Sequence, residues 1–149
     1  STIEIGYHES ELTKIDGVDN LERIGSGYPD LPIYQGILTS QEVKLYGIFT
    51  EIQFSGCGLT EIDTQTQGAL VYLMLYDNPD LKTFNFKFNE SLKKLDFRGN
   101  SFSASELSDL VKQLSPTSGG QLKIAFDGTV DDYLDLSAAA AEKGWTIYR

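Results

Sequence analysis

Apolar residues recur at a fixed spacing along the middle of the chain. Three stretches, which begin at Phe49, Leu70 and Leu92, each carry an apolar residue at positions 1, 4 and 6 and Cys or Asn at position 9. The second stretch begins 21 residues after the first, and the third begins 22 residues after the second. Positions 4 and 6 have the spacing of side chains on one face of a strand. The pattern therefore predicts three similar short strands that belong to a structural repeat.

The repeat also has a second half. Leu59–Asp63 and Leu81–Asn85 follow the first two strands and resemble each other, and Leu12–Asp16 carries the same pattern near the N-terminus. Two halves that repeat in phase favour a stack of similar units in which each unit contacts only its neighbours.

An earlier unit is expected before Phe49. Tyr28–Leu38 fits the strand spacing one period upstream, although it places Pro32 inside a strand, where proline is tolerated only at an edge or an irregular site. We therefore expect a repeat domain over residues 28–149. Residues 1–27 are expected to be an N-terminal cap or a linker.

The period breaks after Asn100. Ser103 and Glu106 have the spacing of a capping box, and apolar residues at helical spacing follow them. The sequence predicts a helix over Ala104–Gln113, at the start of a C-terminal cap from about residue 101. The strand pattern returns at Leu122–Asp127.

A second helix and a last strand are expected at the C-terminus. The helix is predicted to start near Asp131, to bury Leu134, Ala138 and Ala141, and to end at Gly144. Trp145–Tyr148 then has the composition of a short strand.

These features together resemble the leucine-rich repeat. The residues that carry the resemblance are the apolar positions with Cys57, Asn78 or Asn100 at position 9, the half-repeats of the type Leu-Thr-x-Ile-Asp, and the closing Lys-Gly-Trp-Thr-Ile. They look like the secreted or surface-attached leucine-rich-repeat proteins of gut and oral anaerobic bacteria, over about residues 49–149. The resemblance implies an α/β fold, a right-handed solenoid with a short curved parallel sheet and a helical C-terminal cap. It also implies a secreted or cell-surface protein that binds a partner.

In such a sheet the strand positions divide between the core and the open face. The predicted core side chains are Ile52, Phe54, Leu73, Leu75, Leu95, Phe97, Leu122 and Ile124. Positions 3, 5 and 7 are expected to form rows of exposed side chains, which begin with Glu51, Gln53 and Ser55 on the first strand. The candidate partner-binding residues on the next two strands are Tyr72, Met74, Tyr76, Lys94, Asp96 and Arg98. Tyr and Met are enriched at recognition surfaces, but these side chains could equally cover neighbouring strands or pack in an oligomer.

A structural role is predicted for the residues that follow each strand. Cys57, Asn78, Asn100 and Asp127 occupy the turn, where a polar side chain can satisfy backbone groups that irregular chain leaves unpaired. We expect a row of structural residues there, with Cys57 buried in it.

Composition and charge narrow the possible partners. The net charge is −10 and the twelve Lys and Arg residues form no long basic run, so nucleic acid is not an expected partner. No stretch approaches the roughly 18 apolar residues that a membrane-spanning helix needs. One cysteine excludes an internal disulfide but leaves the compartment open.

No motif for metal, cofactor or catalysis stands out. His8 is the only histidine and has no second candidate ligand beside it. Asp127–Asp132 lacks the carboxylate spacing of an EF-hand, and helix capping by Asp131 or Asp132 explains it better. The glycine pairs at 25–27 and 56–58 are expected to be turns. We therefore expect no metal, no cofactor and no enzymatic activity.

The expected function is recognition of a protein, or of a carbohydrate, on the sheet. The alternative is a spacer or cap within a larger surface protein that has no ligand of its own. Because fold resemblance carries this inference, neither the ligand nor the oligomeric state follows from it.

Overall fold

A computed structural model describes residues 2–6, 12–26, 32–40, 42–47, 49–64, 67–86 and 89–149. The strands among them are β1 Thr2–Gly6, β2 Leu12–Asp16, β3 Val18–Ser26, β4 Pro32–Leu38, β5 Lys44–Gly47, β6 Glu51–Gln53, β7 Glu61–Asp63, β8 Tyr72–Met74, β9 Thr83–Asn85, β10 Lys94–Phe97, β11 Gly120–Ile124 and β12 Trp145–Tyr148. The two helices are α1 Ala104–Gln113 and α2 Val130–Glu142.

Eight of these strands form one mixed sheet in the order β12-β11-β10-β8-β6-β1-β4-β3. From β6 to β12 neighbouring strands are parallel, whereas β1 is antiparallel to both β6 and β4, and β4 is antiparallel to β3. Two smaller sheets, β2-β5 and β7-β9, complete the described strands.

The predicted leucine-rich-repeat solenoid is therefore wrong as a fold class. The sheet is mixed rather than parallel. Tyr28–Leu38 was expected to be a parallel repeat unit, but its described part, Pro32–Leu38, pairs antiparallel with both of its neighbours. Pro32 is the first residue of that strand, a position where its missing N–H costs no ladder hydrogen bond. Gly36 lets β3 approach closely, because a Cβ there would collide with the Val18 side chain. These long-range antiparallel contacts leave no trace in the spacing of apolar residues.

The N-terminal segment contributes to the same sheet. Residues 2–6, which were expected to lie in a cap or linker, form β1 between β4 and β6. The boundary predicted between residues 27 and 28 lies outside the described residues, as does His8. Ile3 belongs to the main core, and the half-buried Ile15, Val18 and Leu21 pack against it.

The core lies on one face of the large sheet. All eight side chains predicted for it are at most 6% exposed, so that prediction is confirmed. Between successive parallel strands the chain crosses this face through β7, β9, α1 and α2. Four phenylalanine rings fill the space beneath β10, with ring centroids 5.3 to 6.2 Å apart. They are Phe84, Phe86, Phe97 and Phe102.

The two helices begin with capping boxes. The predicted box of Ser103 and Glu106 and the bounds of α1 are confirmed. In α2 the N-cap is Thr129 rather than Asp131 or Asp132, and Asp132 supplies the carboxylate that accepts from the Thr129 backbone N–H.

The predicted buried side of α2 is wrong. Leu136 and Ala140 pack inward, whereas Leu134, Ala138 and Ala141 are exposed. The run of four alanines from 138 to 141 presents a small apolar side chain in every direction, so the local pattern could not select the side that the sheet and α1 cover.

A row of buried amides holds the turns that follow β6, β8 and β10. Oδ1 of Asn78 accepts from the backbone N–H of Cys57 at 3.2 Å and of Leu59 at 3.0 Å. Nδ2 of Asn78 donates to the carbonyl oxygens of Phe54 at 2.7 Å and Leu75 at 3.0 Å. Asn100 continues the row one strand further, since its Oδ1 accepts from the backbone N–H of Asn78 and its Nδ2 donates to the Leu75 carbonyl oxygen. The row ends there, because Asp127 is exposed.

A second polar row lies beneath the sheet and was not predicted. Asn89 is 1% exposed and donates through Nδ2 to the carbonyl oxygens of Thr64 and Gln67. The Thr64 hydroxyl donates to Oδ1 of Asn89 at 2.5 Å. These hydrogen bonds satisfy buried backbone carbonyl groups in the loops that link the small β7-β9 sheet to the main core.

Asn78→Ala is expected to lower the free energy of unfolding by about 3 kcal/mol, because buried backbone groups of two successive turns lose their hydrogen bonds at once. Urea unfolding followed by circular dichroism measures this loss. Asp80→Ala, at an exposed position just after the same turn, is the control and should cost less than about 0.5 kcal/mol. Similar losses in the two variants would contradict the role of Asn78.

Candidate functional site

The side of the large sheet opposite the core carries polar and aromatic side chains. We call it the polar face. The register aligns one row across all eight strands: Glu22, Gln35, Glu4, Gln53, Met74, Asp96, Lys123 and Tyr148. A second row crosses the parallel strands: Glu51, Tyr72, Lys94, Gln121 and Thr146.

Strand β8 lies near the middle of the sheet and bears the aromatic part of this face. Tyr72, Met74 and Tyr76 alternate with the core residues Leu73 and Leu75, and all three are half-buried. Four residues of extended chain span about 13 Å, which is the separation of the two tyrosine positions along the strand. The structure therefore brings the three predicted aromatic and thioether side chains together in a line.

Neighbouring polar groups hold both tyrosines. The Gln53 amide Nε2 donates to the Tyr76 hydroxyl at 3.0 Å and to Oε2 of Glu4 at 3.1 Å. Nζ of Lys94 lies 6.0 Å from the centroid of the Tyr72 ring, within the range of a cation–π contact. Tyr76 is thus held by a residue of β6, and Tyr72 by a residue of β10.

Asp96 and Arg98 form a bidentate ion pair on β10 and the residue after it. Nε of Arg98 donates to Oδ1 of Asp96 at 2.9 Å, and Nη2 donates to Oδ2 at 2.7 Å. Burial alone would raise the pKa of Asp96, but the hydrogen bonds and the charge of Arg98, with a smaller effect of Lys123, lower it overall. Asp96 was expected to be exposed and is only 3% exposed, so the guanidinium is the part of this pair that faces outward.

Glu51 is the unexpected residue of the face. It was expected to be exposed but is 5% exposed, and its Oε2 accepts no hydrogen bond. Burial raises its pKa, an effect that the charge of Lys94 partly offsets. Its position in the row was predictable from the strand spacing. Its burial was not, because β6 lies at the junction with the antiparallel strand β1.

The remaining predicted residues lie away from this face. Cys57, Asn78 and Asn100 belong to the row of turns, where Cys57 is half-buried and burial raises the pKa of its thiol. Within the described ranges, no group of three His, Cys, Asp or Glu side chains is placed to hold a metal ion. In the same part of the chain, neither helix has the length and apolar character needed to cross a membrane.

Comparisons with models of known protein families, with curated proteins and with solved structures give no match. The resemblance to leucine-rich-repeat proteins, and the secreted or cell-surface location that it implies, stay predictions.

Arg98→Ala is expected to destabilise the fold by about 1 kcal/mol at pH 7, because it leaves a buried carboxylate without its charged donor. Since the folded-state pKa of Asp96 is lowered, its contribution is present above the ordinary aspartate pKa and is lost as the pH falls. The difference between the two proteins should therefore shrink from pH 7 to pH 3 in urea unfolding experiments. Lys112→Ala is the control, since its pair with Asp109 is exposed on both sides. A difference that does not depend on pH would contradict the assignment.

Glu51→Gln is expected to raise the melting temperature at pH 8. The folded-state pKa of Glu51 is raised, so ionisation opposes folding once the pH exceeds the ordinary glutamate pKa, and the amide removes that cost. At about pH 3, below the ordinary glutamate pKa, the carboxyl is protonated in both states and the two proteins should melt alike. Glu61→Gln, which makes the same substitution at an exposed position on β7, is the control. A lower melting temperature of Glu51→Gln at pH 8 would show that the ionised carboxylate stabilises the fold.

Proposed function

We propose that the chain is a recognition module that binds a protein on its polar face, without catalysis. The observation that carries this proposal is the line of Tyr72, Met74 and Tyr76 on β8, with Arg98 exposed beside it. Tyr, Met and Arg are enriched at protein interfaces, and a few such residues near the centre of a patch commonly supply most of the binding energy.

The side chains of this line are held before a partner arrives. Gln53 fixes the Tyr76 hydroxyl, and Asp96 fixes both guanidinium nitrogens that face it. Ordering a long side chain on binding costs roughly 0.5 to 1.5 kcal/mol of conformational entropy. Because these side chains are already ordered in the folded chain, binding loses less entropy. The arrangement favours specific binding over a merely adhesive surface.

The polar face is cationic only at β10 and β11, since Glu4, Glu22 and Glu51 lie on its other strands. Lys94, Arg98 and Lys123 cluster on β10 and β11, and Asp96 between them is buried and paired. On a chain with a net charge of −10 this is a local concentration of cations. We therefore expect a partner whose apolar contact area is bordered by carboxylates.

A carbohydrate ligand is the second candidate. Sugar rings stack on aromatic side chains, and their hydroxyl groups bond to amides and carboxylates. Tyr76 lies next to the Gln53 amide, which also bonds to Glu4, and Tyr72 is aligned with Glu51. The third possibility is a spacer domain with no ligand of its own. These alternatives predict different outcomes of one experiment.

The combined variant Tyr72→Ser, Met74→Ser and Tyr76→Ser is expected to abolish partner binding while the protein stays folded, which circular dichroism and a melting curve would verify. Partners captured by the wild-type protein would be titrated against the variant by biolayer interferometry. The control is Tyr46→Ser, which changes an exposed tyrosine outside the polar face.

Binding that survives the combined variant would refute the site assignment. Hits on a glycan array that the combined variant loses would favour carbohydrate over protein. A chain that captures neither class, with all binding mapped to an adjoining domain, would favour the spacer.

A further inference from the structure

Helix α2 carries an apolar stripe that the fold does not use. Val130, Leu134, Ala138 and Ala141, here called the α2 stripe, lie on one side of the helix because they are spaced by four, four and three residues. Val130 is 68% exposed and Leu134 is 57% exposed, whereas the residues that anchor the helix are Leu136 and Ala140 on another side. A single exposed apolar side chain is ordinary on a protein surface, but a continuous stripe of them indicates a contact surface.

The border of the stripe is acidic. Asp135 and Glu142 line an open groove of about 510 Å³ between α1 and α2, and no member of the stripe lines that groove, so these carboxylates lie between the stripe and the groove. Asp131 is exposed on the first turn. The solvent edge of the stripe therefore presents negative charge.

The lysines nearest to this border are already engaged. Nζ of Lys143 donates to the carbonyl oxygens of Val111, Lys112 and Leu114 at the end of α1. Lys112 pairs with Asp109 at 2.8 Å. The carboxylates beside the stripe are thus left to act on a partner.

The shape of the stripe suits a helix. Val130 and Leu134 form a ridge, and the alanines at 138 and 141 leave a shallow region where another backbone can approach closely. An added strand fits less well, because the Tyr133 hydroxyl already donates to the carbonyl oxygen of Ile147 in the edge strand β12 at 3.4 Å. The Arg149 guanidinium covers the Tyr133 ring at 3.8 Å.

A second copy of the chain also fits less well. Antiparallel pairing of two α2 stripes would bring Asp131 and Asp135 of one copy towards Glu142 of the other, on chains that each carry −10. We propose that the α2 stripe docks an amphipathic helix whose apolar side is bordered by Lys or Arg. This surface is separate from the polar face and does not depend on the function proposed there.

The test uses a fluorescent helical peptide of about 18 residues, with Leu at helical spacing and Lys elsewhere, and a second peptide with Glu in place of Lys. Fluorescence anisotropy at about 0.15 M salt gives the affinity of each peptide for the whole chain. We expect binding of the Lys peptide and none of the Glu peptide. Leu134→Ser should lower the affinity for the Lys peptide roughly tenfold, because it removes one buried leucine contact.

Matched variants separate docking from general attraction to an acidic protein. Ile24→Ser removes an exposed apolar residue elsewhere and should leave the affinity unchanged. Asp135→Asn should weaken binding several-fold, whereas Asp80→Asn, which removes the same charge at a distance, should have little effect.

Three results would overturn the proposal. Equal binding of the Lys and Glu peptides would show that the acidic border of the stripe does not select its partner by charge. Binding that Leu134→Ser leaves intact would show that net charge alone attracts the peptide. A concentration-dependent dimer in sedimentation velocity that Leu134→Ser dissociates would assign the stripe to a second copy instead.

Discussion

The buried amide of Asn78 is the interaction on which the joining of β6 and β8, in the middle of the sheet, depends. It accepts from two backbone N–H groups in the turn after β6 and donates to the carbonyl oxygens of Phe54 and Leu75. Turns buried under a sheet leave backbone groups that water cannot reach, so each must find a partner in the chain. Because one side chain serves two successive turns, it also fixes how far each strand is offset from the next. The alignment of Glu51 with Tyr72 follows from that offset, and Asn100 has the same effect on the alignment of Tyr72 with Lys94.

The two halves of the sheet meet where β1 lies beside β6. Glu4 is aligned with Gln53 across this junction, and the Gln53 amide bonds both to Glu4 and to Tyr76 on the next strand. One amide therefore connects the antiparallel strands to the aromatic line. Burial of Glu51 on the same strand raises the pKa of its carboxyl, the charge of Lys94 partly offsets this, and its Oε2 accepts no hydrogen bond.

The two candidate surfaces differ in position and in charge. On β10 and β11 the polar face presents Lys94, Arg98 and Lys123. The α2 stripe is bordered by carboxylates and lies on a helix that covers the opposite side of the sheet. Surfaces of opposite sign select partners of opposite sign. The two proposed contact areas therefore do not overlap.

The sequence alone determined the features that depend on local spacing. The buried positions of β6, β8, β10 and β11 follow from alternation, and the start of α1 follows from the capping box at Ser103, because both depend on residues a few positions apart. The line of Tyr72, Met74 and Tyr76 on one face is predictable for the same reason.

Only the tertiary structure decided how these pieces join. Pro32–Leu38 has the spacing of a parallel repeat, yet its antiparallel pairing with β1 and β3 depends on partners far away in the chain. The exposure of Leu134 and the burial of Asp96 were likewise set by what packs beside them: α1 and the sheet select the inner side of α2, and Arg98 closes over the carboxylate. Periodicity specifies which residues share a face, but the neighbour that covers a face is chosen by long-range packing.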